Sequence, residues 1–220
     1  TIAAHLCDLS SGEVLSSAGQ MNPQIRFGED LMSRVSYIMM NSGGEKELIA
    51  VVRETLNDLI GEVARDAGLE RADVVELTVV GNPIMMHLLF GLNPVELGMA
   101  PFALVSDAAM TMPARDIDLE ISPGGYIYGL PCIAGHVGAD AAGVLLAEAP
   151  HERDEISLIV DVGTNAEMFL GNRERILAAS SPTGPAFEGA QISSGQRAAP
   201  GAIERVRIDP DTLEPKYQII

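Results

Sequence analysis

The spacing of apolar residues along the chain predicts strands alternating with helices. The clearest helical signal lies in the stretch EKELIAVVRETLNDLIGEVARDAGL, where apolar residues recur at a period near 3.6 and Gly68 is placed to end the helix. Those apolar residues are Leu48, Val51, Val52, Leu56, Leu59, Ile60 and Val63. Shorter helices are predicted after Gly28, in PIMMHLLFG and in VGADAAGVLLAEA, and strands in TIAAHLCDL, VLSSAGQ, DVVELTVVGN and YIYGLPCIAG.

The last third of the chain has a different spacing of apolar residues. DEISLIVDVG, NAEMFL and RERILAASS read as three strands joined by tight turns, and GPAFEGAQISSG reads as the start of a helix. Residues 93–129 are irregular and rich in proline and glycine, which indicates an inserted subdomain or a long crossover. Strands alternating with helices predict an α/β fold, and the consecutive hairpin strands predict mixed sheets.

Composition narrows the classes of partner. The net charge of −17 repels phosphate backbones and argues against nucleic acid. No apolar run is long enough to span a membrane, and no secretion signal opens the chain. Cys7 and Cys132 form no C-x-x-C pair, so we do not expect this stretch to hold zinc or an iron–sulfur cluster. Two isolated thiols without a secretion signal predict that the protein resides in a reducing cytoplasm. Because the chain opens inside a strand and without methionine, we expect it to be a piece of a longer protein.

The turn in LIVDVGTNAEMFL is the first candidate site. Gly163 allows a ligand to approach the backbone closely, while Thr164 and Asn165 add donors, so the turn could hold a phosphate. Asp161 would then lie beside that phosphate, where a hydrated Mg²⁺ is needed between the two anions. An ordinary hairpin turn is the alternative, because glycine, asparagine and aspartate are common turn residues.

Two neighbouring segments strengthen the phosphate interpretation. In SPTGPAFEGAQIS, Gly184 and Pro185 lead into a helix that carries Glu188, and the amino terminus of a helix favours anions. In GHVGADAAGVLLAE, Asp140 lies at the start of a helix of small residues.

Together these pieces resemble the superfamily of sugar and acetate kinases, heat-shock chaperone ATPases and actin. The resemblance implies two ribonuclease-H-like lobes with mixed sheets flanked by helices, here a first lobe over 1–139, with the inserted region at 93–129, and the start of a second over 140–220. DVGTN is similar to the second phosphate hairpin, and TGPAFEG to the glycine-entered helix after it. Gly184, Pro185, Glu188 and Gly189 are thereby implied as nucleotide-binding residues, with Asp161, Gly163, Thr164 and Asn165.

A narrower resemblance covers most of the chain. NPQIRFGEDLMSRV, TVVGNPIMMHLLFGLNP, HVGADAAGVLLAE, DVGTNAEM and SPTGPAFEGAQISSGQRAAPGAIE are similar to the ATPase-like domain of reductive activators of corrinoid proteins. The resemblance implies ATP and Mg²⁺ as cofactors, a [2Fe–2S] cluster in a ferredoxin-like domain preceding this chain, a corrinoid protein of a methyltransferase system as partner, and a homodimer. Most of the first phosphate hairpin and the adenosine-binding glycine motif are missing, so we do not expect this piece to turn over ATP alone.

The same resemblance implies catalytic roles for Asp140, which would position the attacking water, and Asp161, near the metal. For Asp140 the alternative is a helix-capping acid. The resemblance places Glu29 and Asp30 near the ligand cleft, and Asn82 follows a strand end where cleft residues gather, but all three could equally be helix caps. A small-molecule kinase and a nucleotide-dependent interaction module without catalysis remain alternative functions.

Two remaining residue types carry weaker signals. Of the histidines, only His136 is a candidate ligand, and His87 is expected to be packed inside a helix. Met39, Met40, Met85 and Met86 are most simply core residues, with a docking surface as the alternative.

Overall fold

The computed structural model describes residues 1–28, 30–163, 165–183 and 200–220, which form two compact units, Thr1–Ala149 and Pro150–Ile220. The strands of the first unit are β1 (Ile2–Cys7), β2 (Val14–Gln20), β3 (Glu76–Val79), β4 (Met110–Pro113) and β5 (Tyr126–Gly129). Its helices are α1 (Leu31–Met40), α2 (Gly44–Asp66), α3 (Pro83–Leu89) and α4 (Ala139–Glu148). The second unit contains β6 (Ser157–Val162), β7 (Asn165–Gly171), β8 (Ile176–Pro182), β9 (Ile203–Ile208) and β10 (Pro215–Ile219). The predicted mixed α/β architecture is confirmed, whereas the predicted lobe boundary at 139 and 140 stays a prediction.

Helix α2 organises the first unit. Its buried face carries Leu48, Val52 and Leu59, each at most 3% exposed, and packs against the β1–β2 hairpin and α3. The helix ends where the predicted Gly68 takes a positive φ of 72°, so that the N–H of Leu69 reaches back to the carbonyl of Ala64 at 2.9 Å. A local period of 3.6 was enough to define this element because one face meets the core along its whole length.

A three-stranded sheet in the order β3-β5-β4 forms the second layer of this unit. β3 and β5 run parallel, and β4 is antiparallel to β5, so residues 93–129 supply two of its strands. Ile127 of β5 is fully buried against Phe90 and Leu119. The parallel pair places the carboxyl ends of β3 and β5 at one edge of the sheet, where α/β proteins gather ligand-binding residues.

A buried polar contact fixes the entry to α1. Gln24 is fully buried and donates from its amide nitrogen to the carbonyl of Leu48 at 3.0 Å. Arg34, only 5% exposed, donates from Nε to the carbonyl of Gly28 at 3.0 Å and from Nη1 to Oε1 of Gln24 at 3.4 Å. Burial lowers the pKa of Arg34, and the negative charge of Asp30 partly offsets this effect.

The methionines of α1 correct one expectation. Met32, Met39 and Met40, which we call the methionine stripe, lie on the outward side of the helix and are 46%, 59% and 84% exposed. Val35 occupies the inward side. Met39 and Met40 are therefore not core residues, unlike Met86, which is 7% exposed.

The second unit is built from antiparallel strands. β6, β7 and β8 form a meander in that order, and β9 pairs only with β10 among the described strands. Phe169, 1% exposed, is the largest fully buried side chain of this unit. The meander holds the DVGTN turn between β6 and β7.

Candidate functional site

The β6–β7 hairpin positions the candidate phosphate turn. Val162, the last residue of β6, pairs with Ala166 near the start of β7. The Gly163 N–H donates to the carbonyl of Asn165 at 2.8 Å, so this amide is engaged inside the hairpin. A phosphate at the turn would therefore have to use the other donors. Thr164 lies outside the described residues.

The register of the hairpin brings a second carboxylate to the site. Asp161 lies directly opposite Glu167, and Glu167 lies opposite Ser180 on β8. Ser180 Oγ donates to Glu167 Oε1 at 3.1 Å. Two like charges directly opposite each other destabilise a sheet unless something neutralises them. Oxygen ligands from carboxylates are what Mg²⁺ prefers, so this donor set fits a hydrated Mg²⁺.

Glu167 is the residue that sequence reasoning missed. It lies inside the quoted motif, three residues after Thr164, as Asp161 lies three residues before it. Once Val162 pairs with Ala166, those two positions must pair as well. The signal was therefore present in the spacing of the two acids around the turn.

A side-chain hydrogen bond connects the hairpin turn to the second motif. Thr183 Oγ1 donates to the carbonyl of Gly163 at 2.6 Å. The turn of DVGTN and the start of SPTGPAFEG therefore meet at one end of the β6–β8 sheet. Gly184, Pro185, Glu188 and Gly189 lie outside the described residues, so their nucleotide-binding role stays a prediction.

Asp140 lies in the first unit, in the first turn of α4. The N–H groups of Ala139 and Asp140 both donate to the carbonyl of Gly81, at 3.0 and 3.3 Å. A Cβ built on Gly138 would lie 2.7 Å from that carbonyl oxygen and 2.7 Å from Cα of Asn82. The start of α4 is thus pressed against the loop after β3, at the carboxyl edge of the parallel strand pair. The Asp140 Oδ1 atom accepts the N–H of Ala141 at 2.9 Å.

Asn82 and Asp30 are helix-capping residues. Asn82 is the N-cap of α3, and its Oδ1 accepts the Met85 N–H at 3.0 Å. Asp30 forms a capping box with Ser33 at the start of α1. Asn82 and Asp30 therefore make the capping contacts that were the alternative to a role in the ligand cleft. Glu29 lies outside the described residues.

The histidines and cysteines form no ligand set in the described part of the chain, where no three potential metal ligands cluster. His87 is 2% exposed, and burial lowers its pKa. Its Nδ1 atom lies 2.7 Å from the carbonyl of Pro83, and its Nε2 atom accepts the Val105 N–H at 3.0 Å. His136 packs its ring against Phe102, with the ring centroids 4.5 Å apart. Burial raises the pKa of the Cys132 thiol.

A groove on α2 is separate from these residues. It has a volume of about 810 Å³ and is lined by polar residues of α2, among them Arg53 and Asn57, with Arg71 and Glu120. The side chain of Arg53 donates to the carbonyl of Leu89, and that of Asn57 donates to the carbonyl of Asp118. None of the predicted site residues lines this groove.

No helix among the described residues is long and apolar enough to cross a membrane. Comparison with known proteins identifies the class to which the chain belongs. Residues 155–220 match the family model described as the C-terminal domain of RACo, the ASKHA domain, which fits an actin-like fold. Residues 1–153 match the RACo middle region. The chain therefore belongs to the RACo family, whose ATPase-like domain the sequence resembles.

The similar proteins have consistent descriptions. The chain is 35% identical over 206 residues to "Corrinoid activation enzyme RamQ" of Eubacterium limosum, with 94% of this chain and 34% of that protein covered. It is 31% identical to "[Co(II) methylated amine-specific corrinoid protein] reductase" of Methanosarcina barkeri, with 90% and 37% covered. A solved structure, "Reductive activator for corrinoid, iron-sulfur protein", superimposes with a TM-score of 0.88 at 37% identity over 99% of this chain and 35% of that one. The chain thus spans about a third of the length of these relatives.

Proposed function

We propose that the full-length protein containing this chain is an ATP-dependent reductive activator of a corrinoid protein. This chain would supply part of the ATP-binding and partner-docking domain. The relatives described as a corrinoid activation enzyme and a corrinoid protein reductase support the reaction class. The observation that carries the nucleotide site is the placement of Asp161 opposite Glu167, beside a turn that Thr183 ties to the second motif.

The described residues of the β6–β7 hairpin would each have a separate role at that site. Asp161 and Glu167 offer carboxylate oxygens through which a hydrated Mg²⁺ could be held, and Ser180 orients Glu167. Asn165 and the amides beyond Gly163 would donate to the terminal phosphates of ATP. Asp140, in the first unit, is proposed to accept a hydrogen bond from the attacking water on the basis of the family resemblance alone. ATP and Mg²⁺ supply a reactive phosphoanhydride whose negative charge is screened by the metal.

The need for ATP follows from the chemistry of the reaction. Reduction of a Co(II) corrinoid to Co(I) takes up one electron and is uphill for a ferredoxin-type donor such as the [2Fe–2S] domain expected upstream. An uphill step can be driven by a ligand that binds one conformation of the activator better than another. In actin-like ATPases the expected change is closure of the two lobes on nucleotide.

Calorimetry of the full-length protein with ATP and Mg²⁺ tests the nucleotide site. Asp161→Ala is expected to weaken binding by about ten- to hundred-fold, because a charged contact is lost. Glu174→Ala is the matched control, since Glu174 is an exposed acid in the loop between β7 and β8. Unchanged affinity in Asp161→Ala would show that the phosphate assignment is wrong.

Absorbance of the cobalt centre tests the activity itself. The full-length protein, supplied with a reductant, is expected to form Co(I) on a corrinoid protein faster with ATP than without it. No ATP effect would refute the proposed function. Phosphorylation of a small molecule without the corrinoid protein would instead favour the kinase alternative.

A further inference from the structure

The turn between β6 and β7 is held from two sides at Gly163. The Gly163 N–H donates to the carbonyl of Asn165 at 2.8 Å, and the Gly163 carbonyl accepts the Thr183 hydroxyl at 2.6 Å. Both backbone hydrogen-bonding groups of Gly163 are therefore engaged within the second unit. Rotation of the backbone on either side of this residue would break one of the two bonds.

The Thr183 side chain makes its contact where the β7–β8 ladder ends. Asn165 and Pro182 form the terminal pair of that ladder, and proline has no N–H to donate. The next residue, Thr183, reaches the turn through its side chain instead. Because a β-branched side chain has a restricted χ1, the threonine hydroxyl is held in a narrow range of directions. The end of β8 therefore fixes the turn through a stiff side-chain donor.

Packing among the described residues does not account for a glycine at position 163. The φ of Gly163 lies outside the left-handed region that favours glycine, and a Cβ built there would lie 3.5 Å from the carbonyl oxygen of Asn165, an ordinary contact distance. At Gly138, by contrast, the Cβ would lie 2.7 Å from the carbonyl oxygen of Gly81. Glycine is favoured where a ligand approaches the backbone closely, and that is the reason that remains for Gly163.

An anion at such a turn constrains the direction of the carbonyl. Backbone N–H groups attract an anion, whereas a carbonyl oxygen carries a partial negative charge and repels it. The Thr183 hydroxyl holds the Gly163 carbonyl toward the end of β8, which keeps this oxygen from turning toward a phosphate. The pair of Asp161 and Glu167 lies beside the turn, and the Mg²⁺ of ATPases bridges the β- and γ-phosphates. The turn is therefore suited to the outermost phosphate.

We propose that Thr183 is a positioning residue that keeps the turn open to the γ-phosphate of ATP and thereby makes the site distinguish ATP from ADP. This inference rests on the proposed function, because that function supplies the nucleotide. ADP has no γ-phosphate, so the direction of the Gly163 carbonyl matters little to its binding. Thr183 acts on the ligand through Gly163 and touches no reacting atom.

Calorimetry of the full-length protein with Mg²⁺ and either ATP or ADP tests this role. Thr183→Val keeps the shape of the side chain and removes the hydroxyl, so the dissociation constant for ATP should rise about five-fold, the effect of one lost hydrogen bond. The dissociation constant for ADP should stay within about two-fold of wild type. Thr183→Ser restores the donor and should recover most of the affinity for ATP. Thr111→Val is the matched control, since it makes the same change at an exposed threonine of β4 and should alter neither constant.

The outcomes separate this role from the proposed function. If Thr183→Val weakens ATP and ADP binding equally, or if Thr183→Ser binds ATP as weakly as Thr183→Val, the hydroxyl does not position the turn for the γ-phosphate. If Thr183→Val binds both nucleotides like wild type while Asp161→Ala loses affinity for ATP, the nucleotide site stands and the role of Thr183 is wrong. If the wild-type protein binds no ATP, this inference and the ATP dependence of the proposed function both fail.

Discussion

His87 gives the clearest test of how this structure responds to pH. Its Nε2 atom accepts the Val105 N–H, which ties α3 to the segment that precedes β4. An imidazole nitrogen can accept a hydrogen bond only while it is unprotonated, so this contact requires neutral His87. Burial lowers the pKa of His87, which means that the folded state binds protons more weakly than the unfolded state does.

The sign of the pH dependence follows from that difference. Stability rises with pH wherever the unfolded state binds more protons. The contribution of His87 is therefore fully present above about pH 6.5, the ordinary value for histidine, and is lost as the pH falls below it toward the lower folded pKa. Because a single histidine changes an opening equilibrium by at most ten-fold per pH unit, opening around Val105 should become up to about ten-fold easier one unit below pH 6.5.

Hydrogen exchange followed by mass spectrometry measures this opening in the full-length protein. After correction for intrinsic exchange, the peptide containing Val105 should exchange up to about ten-fold faster at pH 5.5 than at pH 7.5. His87→Gln should remove most of this pH dependence, because glutamine does not titrate. His5→Gln is the control, since His5 is exposed and lies in a hairpin away from Val105. Equal protection at the two pH values in the wild-type protein would refute this account of His87.

Two further pairs of substitutions test the packing inside each unit. Gly138→Ala should lower the free energy of unfolding by about 1–3 kcal/mol in urea, because the new Cβ would overlap backbone atoms after β3. Gly143→Ala, inside α4, has room for the methyl group and should raise it by about 0.5–1 kcal/mol. Equal effects of the two would contradict the close approach. Phe169→Ala should lower the stability of the second unit by about 3–5 kcal/mol, seen as loss of hydrogen-exchange protection in β6–β8, while the exposed Leu177→Ala should change it by less than about 1 kcal/mol.

Elements with a purely local cause were predictable from the sequence. The face of α2 that carries Leu48 and Leu59 follows from the period of its apolar residues, and the three strands of the β6–β8 meander follow from apolar runs broken by tight turns. Asn82 is found as a helix cap because capping depends on only a few neighbouring residues. These features need no knowledge of distant parts of the chain.

Features that depend on distant contacts were harder to predict. Met39 was expected in the core, but the side of α1 that meets the core is set by tertiary packing that the sequence pattern does not reveal. The carboxylate pair of Asp161 and Glu167 needed the register of the hairpin as well as its turn chemistry. The β9–β10 hairpin went unpredicted, although the Asp-Pro-Asp-Thr stretch between its strands is a turn signal.

The methionine stripe has a chemical consequence for handling the protein. A thioether on the surface is open to peroxide, and its sulfoxide is polar where the original side chain was apolar. Met40, at 84% exposed, would be converted well before Met86 at 7%, which lies on the buried side of α3. Because the modified positions face outward, oxidation would first change the surface of α1 and leave the packing beneath it intact.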